Sequence, residues 1–156
     1  IVYRLQPHYV NFNKRLVKMP KLYFYDTGIV CSLLGIKEPN QLLLNPMRGN
    51  IFENFILSEL VKSRFNSARS MNLYFWRDNT GNEIDIIFEK NQELIPIEIK
   101  SGKTVTEDYF KGIKFWQKIG GNQKAYVVYD GDIMQTRSNN IQVIPWKNLY
   151  QIDDLK

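Results

Sequence analysis

Apolar side chains recur along this chain with two periods, and the change from one to the other outlines its elements. "IVYRLQPHYVNFN" at the amino end reads as a strand and a turn. "KLYFYD" is a β-rich run ending at Asp26, a suitable N-cap for a short helix over "TGIVCSLLGI" that Gly35 ends. A polar break containing Pro39 and Pro46 follows. "RGNIFENFILSELVKSRFN" then has the length and composition of a helix of about four turns. Its apolar side chains fall nearly all round the axis, which predicts a largely buried helix. Glu53 falls between Leu57 and Leu60 on it, so its carboxylate must point along a cleft or be paired, because burial alone costs too much.

Downstream the period shortens to that of strands. "LYFWR", the turn "DNTGN", "EIDIIFEK", the turn "NQE" and "LIPIEIK" predict three strands in a meander. "SGKTVTEDYFKGIKFWQKIGG" predicts a loop, a helix capped by Thr106 with Glu107 and Asp108 in its first turn, and a Gly-Gly stop. "KAYVVYD" and "IQVIPW" are two further apolar strand runs. The order α-β-β-β-α-β-β predicts an α/β sandwich around a mixed sheet. Residues 1–45 form a small basic segment of strand, turn, strand and short helix, and residues 46–156 the larger α/β unit.

Composition narrows the class. A length of 156 residues with 44% hydrophobic and 13% aromatic content gives one domain with a real core and excludes a disordered chain. No apolar run approaches the ~18 residues of a membrane span. The single cysteine, Cys31, excludes an intramolecular disulfide and a Cys-based zinc site, and without a secretory signal the expected compartment is a reducing cytosol. Cys31 sits among Val30, Leu33 and Leu34 and is expected as a small buried thiol. The only histidine, His8, is expected in a turn, which leaves no His-based triad or zinc site. Ile1 falls inside a strand-like run, so the chain is expected to be a piece of a longer protein.

The net charge of +5 is unevenly spread. Residues 1–25 carry Arg4, Lys14, Arg15, Lys18 and Lys21 and no acid, whereas residues 78–98 carry Asp78, Glu83, Asp85, Glu89, Glu93 and Glu98 against Lys90. A basic surface attracts nucleic acid, and a compact acidic cluster in a basic protein suggests a cation between the two. Solvated charges on unrelated faces explain the composition as well. Lys14, Arg15, Lys18 and Lys21, with Arg77, are the candidate DNA-phosphate contacts; the alternative for the basic arm is an interface with another module.

Strict alternation places Glu83 and Asp85 on one face of their strand with Ile87, and Ile84, Ile86 and Phe88 on the other. In the next strand Glu98 and Lys100 oppose Ile95, Ile97 and Ile99. If both isoleucine faces enter one core, Asp85, Glu98 and Lys100 converge. An E-x-K on a hairpin is most often a solvated face, but here an acid precedes it across a turn and an inward Glu lies upstream. The chemistry of such a set is metal-assisted phosphodiester hydrolysis. Carboxylate oxygens suit Mg²⁺ or Mn²⁺, the Ile99 carbonyl offers a further ligand, and Lys100 orients or helps deprotonate the attacking water. Glu83 reads either as an auxiliary ligand or as a surface charge. Lys114 and Gln117 either approach the scissile phosphate or face water. Tyr74, Phe75 and Trp76 read as core.

Glu53, Asp85 and Glu98-Ile99-Lys100 together resemble the spaced core motif of the PD-(D/E)XK nuclease superfamily over roughly residues 48–130, with Ile84 in place of the motif's proline. The resemblance implies a restriction-endonuclease-like α/β/α sandwich, Asp85 and Glu98 as metal ligands, Lys100 as a catalytic residue and Glu53 completing the site. More of the chain, through "NKRLVKMPKLYFYDTGIVCSLLGI", "RGNIFENFILSEL", "WRDNTGNEIDII" and "IPIEIKSGKT", resembles the C-terminal nuclease-like domain of unknown function in a family of prokaryotic AAA+ ATPases. That implies an ATPase module upstream of Ile1, and the chain itself has no G-x-x-x-x-G-K-[ST] phosphate loop. The expected function is a divalent-metal-dependent DNA endonuclease. The alternative is a catalytically silent nuclease fold that binds DNA or protein for the attached ATPase, and a third reading is an interaction domain whose acidic face pairs with another subunit.

Overall fold

A computed structural model describes residues 1–10, 16–121 and 123–151; Lys14 and Arg15 lie outside the described residues. Strands β1 (Val2–Leu5) and β2 (Lys21–Phe24) pair antiparallel as a separate two-stranded sheet. Helices α1 (Thr27–Leu33), α2 (Pro39–Leu44) and α3 (Arg48–Asn66) follow. Strands β3 (Leu73–Arg77), β4 (Glu83–Lys90) and β5 (Glu93–Lys100) form the expected antiparallel meander. A 3₁₀ turn (Glu107–Phe110) runs into α4 (Lys111–Lys118), the crossover that lets β6 (Ala125–Tyr129) lie parallel to β5. Strand β8 (Ile141–Pro145) is parallel to β6, and β7 (Gln135–Arg137) is the antiparallel edge. The sheet order β3-β4-β5-β6-β8-β7 makes this an α/β fold around a mixed six-stranded sheet. Among the described residues no helix is long and apolar enough to cross a membrane.

The sheet is covered on both faces. Ile56, Leu57, Leu60 and Val61 of α3 pack on Ile86, Phe88, Ile95, Ile97 and Ile99, and Leu5 and Tyr23 of the small sheet join the same cluster. Because strand residues alternate, Ala125, Val127 and Tyr129 face the other way and receive Phe110 and Ile113. Each fully buried side chain of this kind contributes roughly 1.5–3 kcal/mol. Asn54, buried in α3, fastens that helix to β2 by accepting from Phe24 N at 2.8 Å and donating to Phe24 O at 3.1 Å.

Several local expectations hold. Asp26 caps α1 by accepting from Gly28 N at 2.7 Å, and Gly35 follows with φ +70°. Helix α3 spans 19 residues, about five turns rather than four, and its middle is buried. Others are corrected. The break around Pro39 is a helix: Pro39 sits in its first turn, where a preset φ suits and no amide is needed, and Gln41 Oε1 accepts from Glu38 N at 3.1 Å. Thr106 makes no side-chain cap; the first turn closes on its carbonyl, which accepts from Tyr109 N at 3.1 Å. Cys31 is only half-buried, because α1 packs along one side and leaves Leu33 and Leu34 exposed. Strand β7 is polar and short, so no apolar alternation marks it.

The consequential correction is a bulge. Pairing of β3 with β4 slips by one residue between Tyr74 and Trp76, so Asp85 and Ile86 together oppose Phe75. Ile84 accordingly packs with Ile87, Trp76 and Trp116 on the α4 side, while Ile86 and Phe88 face α3. The strict alternation that grouped Ile84 with Ile86 and Phe88 is broken there. Asp85 is thereby delivered to the α3 side, whereas Glu98, alternating with Ile97 and Ile99, leaves β5 on the α4 side. The acids meet at the splayed strand ends and not on one shared face.

Candidate active site

The β4–β5 pairs run from Lys90 and Glu93 to Ile86 and Ile97, and just past the last pair Asp85 Oδ2 accepts from Ile99 N at 2.8 Å. Glu98 precedes that amide and is buried; its Oε2 lies 2.8 Å from Lys100 Nζ. Glu98 Oε1 is buried without a hydrogen-bond partner. Helix α4 can lie so close only because residue 112 is glycine: a methyl group there would stand 2.4 Å from Glu98 Oε1 and 2.8 Å from the Glu83 carbonyl oxygen. The three residues of the acid and E-x-K set are therefore brought together.

Burial, reinforced by the charge of Glu53, pushes the Asp85 carboxyl up to about 6, against the pull of Lys100, the Ile99 amide and Lys21. Burial and the charge of Asp85 hold Glu98 well above the usual carboxylate range, which Lys100 offsets only in part. Burial alone would lower Lys100, but Glu98 and Asp85 outweigh it and raise it, so it remains an ammonium. A cation placed between the two carboxyls would favour their ionised forms.

Glu53 is placed differently. Its Oε1 accepts from Tyr23 Oη and lies 3.2 Å from Lys21 Nζ, so the expectation of a paired carboxylate is met. Burial first, then Glu53, raises the Tyr23 hydroxyl far above its ordinary range, so it stays a donor. Among the described residues no three His, Cys, Asp or Glu side chains are grouped to hold a metal ion. Glu53 nevertheless lines the same cavity of about 350 Å³ as Asp85, Ile99 and Lys100. A larger groove of about 510 Å³ on the far flank of α3, between Phe55, Arg64 and Trp146, contains none of the hairpin acids.

The remaining candidates disperse. Lys18 is exposed, while Lys21 points inward to Glu53 and Glu83. Arg77 lies 3.5 Å from Glu83, which these two cations share. Lys114 pairs with Glu107 at 2.7 Å, and Gln117 donates to the Gln123 and Asn139 carbonyls at 2.6 and 3.1 Å. His8 lies alongside β3 and not in a turn: its N–H donates to the Phe75 carbonyl at 2.7 Å, after the Pro7–Phe75 bridge, and its Nδ1 accepts from Val10 N at 3.1 Å. Phe75 and Trp76 are core as expected, and Tyr74 is half-buried. Sequence reasoning missed Asn50 and Tyr109, which line the cavity, and Arg48, which donates to Ser101 O at 2.6 Å and to Asp130 Oδ2 at 3.1 Å and so fastens the loop after Lys100.

Comparison with known proteins gives the family of the chain. Residues 1–40 match a family described as a domain of unknown function, DUF8612. Uncharacterised proteins of Mycobacterium bovis and Mycobacterium tuberculosis are each 34% identical over 145 residues, which is 93% of this chain and 32% of each relative. The chain thus spans about a third of the length of these curated relatives. No solved structure matches. Residues 48–149, from the start of α3 through the whole six-stranded sheet, match the family described as a domain of unknown function, DUF4143, and it is to this family that the chain belongs.

Proposed function

We propose that this domain is a divalent-metal-dependent deoxyribonuclease of restriction-endonuclease-like fold, one module of a longer AAA+ ATPase. The observation that carries the reading is the Asp85–Glu98 pair: a half-buried and a fully buried carboxyl, both with raised proton affinity, one oxygen of which, Glu98 Oε1, has no hydrogen-bond donor. Hard oxygen donors of this kind fit Mg²⁺ or Mn²⁺, which take one or two carboxylates and keep several waters. Asp85, Glu98 and the Ile99 carbonyl are the residues to hold the ion, with Glu53, which lines the same cavity as Asp85, as an auxiliary ligand. When bound, the ion supplies charge stabilisation at phosphorus and an acidified water. Lys100, kept an ammonium by its neighbours, acts as a donor that orients the attacking water and offsets developing negative charge. The Arg48 bond to Ser101 O holds the segment next to Lys100 in place. The small share of each relative that the chain covers supports its being one module among others.

Purified protein is expected to cleave linear, branched or single-stranded DNA in Mg²⁺ or Mn²⁺, and Asp85→Ala and Lys100→Ala to abolish cutting while retaining DNA binding. Wild-type protein that takes up neither ion and cuts none of these substrates overturns the reading. One observation favours the silent alternative, a nuclease fold that binds DNA or protein for the ATPase: Glu53 is held by Lys21 and Tyr23, outside any three-acid group. DNA retention without metal uptake or cleavage would select it.

A further inference from the structure

Lys21 begins β2 opposite Leu5, which is fully buried, so its backbone is anchored beside the core. Its side chain crosses the Phe75 ring, with Nζ 5.4 Å from the centroid, and Phe75 is the residue opposite the bulge that carries Asp85. The ammonium ends between Glu53 Oε1, at 3.2 Å, and Glu83. Although burial disfavours its charge, Glu53 and Glu83 together with Asp85 raise its proton affinity, so it stays charged. Glu53 in turn faces the cavity that holds Asp85 and Lys100.

We infer that Lys21 is a built-in counter-ion that competes with the divalent cation for Glu53, so that the position of the small N-terminal sheet sets how tightly the site binds metal. This rests on the metal-site reading above. Four carboxyls, Glu53, Glu83, Asp85 and Glu98, are met by two ammonium groups, Lys21 and Lys100, and at Glu83 by the Arg77 guanidinium. Loss of the Lys21 charge leaves Lys100 and the outlying Arg77 against the same four acids and frees Glu53 Oε1 from one of its two donors. Glu83 gives Lys21 a second partner, so Glu53 can turn toward Asp85 without stranding a buried ammonium. Movement of β1 and β2, which carry Lys21 and Tyr23 on one two-stranded unit, would release both holds on Glu53 together.

The test is a titration of Mn²⁺, followed by the electron paramagnetic resonance signal of the free ion, into wild type, Lys21→Gln, Lys21→Met, Lys21→Arg and Asp85→Ala, with folding checked by circular dichroism. Lys21→Gln and Lys21→Met are expected to bind Mn²⁺ about tenfold more tightly than wild type, from removal of one nearby positive charge. Lys21→Arg is expected to bind as wild type does. The glutamine variant keeps a donor for Glu53, so it remains informative if the methionine variant does not fold. Equal or weaker binding by the neutral variants, while wild type binds Mn²⁺ and Asp85→Ala does not, overturns this inference and leaves the metal site standing. Absence of Mn²⁺ binding in every protein overturns both. Binding by the neutral variants alone supports the inference in its strongest form, full exclusion of the ion by Lys21.

Discussion

The backbone N–H of Ile99 donates to Asp85 across 2.8 Å, beyond the last residue pair of β4 and β5. That bond holds the Asp85 carboxylate beside the strand from which Glu98 and Lys100 emerge, and the properties of the site follow from the resulting crowding of charge.

Stability should fall as pH rises. The folded state binds protons at Asp85, up to about 6, and at Glu98, well above the ordinary range, where the unfolded chain has released them from groups of pKa 3.8 and 4.5. With more protons bound in the folded state, the free energy of unfolding decreases with pH. The contribution is full below about pH 4 and is lost as pH passes through 6 and beyond. Asp78, held low by its bonds to Thr80 and Asn82, acts in the opposite sense only in stronger acid, and His8, whose proton affinity burial lowers, offsets part of the loss just below pH 6.5. Thermal melts in EDTA should therefore show a midpoint that drops between pH 4.5 and 7. Asp85→Asn, which can still accept from Ile99, should flatten this slope and gain roughly 1–3 kcal/mol at pH 7.

A divalent cation should reverse the loss. Mn²⁺ added at pH 7 is expected to raise the melting midpoint, and to do so less at pH 5, where protons compete for the same oxygens. Glu98→Gln should abolish the shift. An unchanged midpoint in wild type across millimolar Mn²⁺ would argue against a cation between the two acids.

Gly112 should not tolerate a side chain. Gly112→Ala places a methyl group 2.4 Å from Glu98 Oε1 and 2.8 Å from a backbone oxygen, so α4 must lift or Glu98 must turn. A loss of about 1–3 kcal/mol in denaturant unfolding is expected. Pairing it with Glu98→Ala should recover part of that loss, because only the contact with the Glu83 carbonyl then remains.

Lys100→Met should separate binding from chemistry. Cleavage is expected to fall by a factor of about 100 or more, from loss of a positioned donor, with Mn²⁺ affinity undiminished. Single-turnover rates beside a Mn²⁺ titration check this. A parallel loss of both would reassign Lys100 to holding Glu98 in place.

The regular parts of this fold were legible because they repeat. The α3 run, the meander and the apolar β6 and β8 each announce a period, and Asp85, Glu98 and Lys100 fall at positions where that period makes their charge conspicuous. The bulge was harder, because Ile84, Ile86 and Ile87 are all isoleucines and any phase satisfies them; the adjacent pair Ile86-Ile87, buried on both faces, was its one trace. Pro39 in a polar stretch reads as a breaker, although proline also begins helices. Lys21 with Glu53 and Arg48 with Asp130 join residues 32 and 82 positions apart, and such pairs leave no periodic signal. For that reason Lys21 looked like part of a basic arm when it is an internal partner of two acids.

The splayed ends of β4 and β5 also bear on how the chain folds. Asp85 and Glu98 belong to one hairpin and come together through local contacts, whereas Lys21 and Tyr23 arrive with β2, from far away in the chain. Local contacts form early and distant ones late, so the hairpin carries its like-charge repulsion before these counter-groups are present. Refolding of this domain should accordingly be faster in mild acid, where a proton bridges the gap, than at neutral pH.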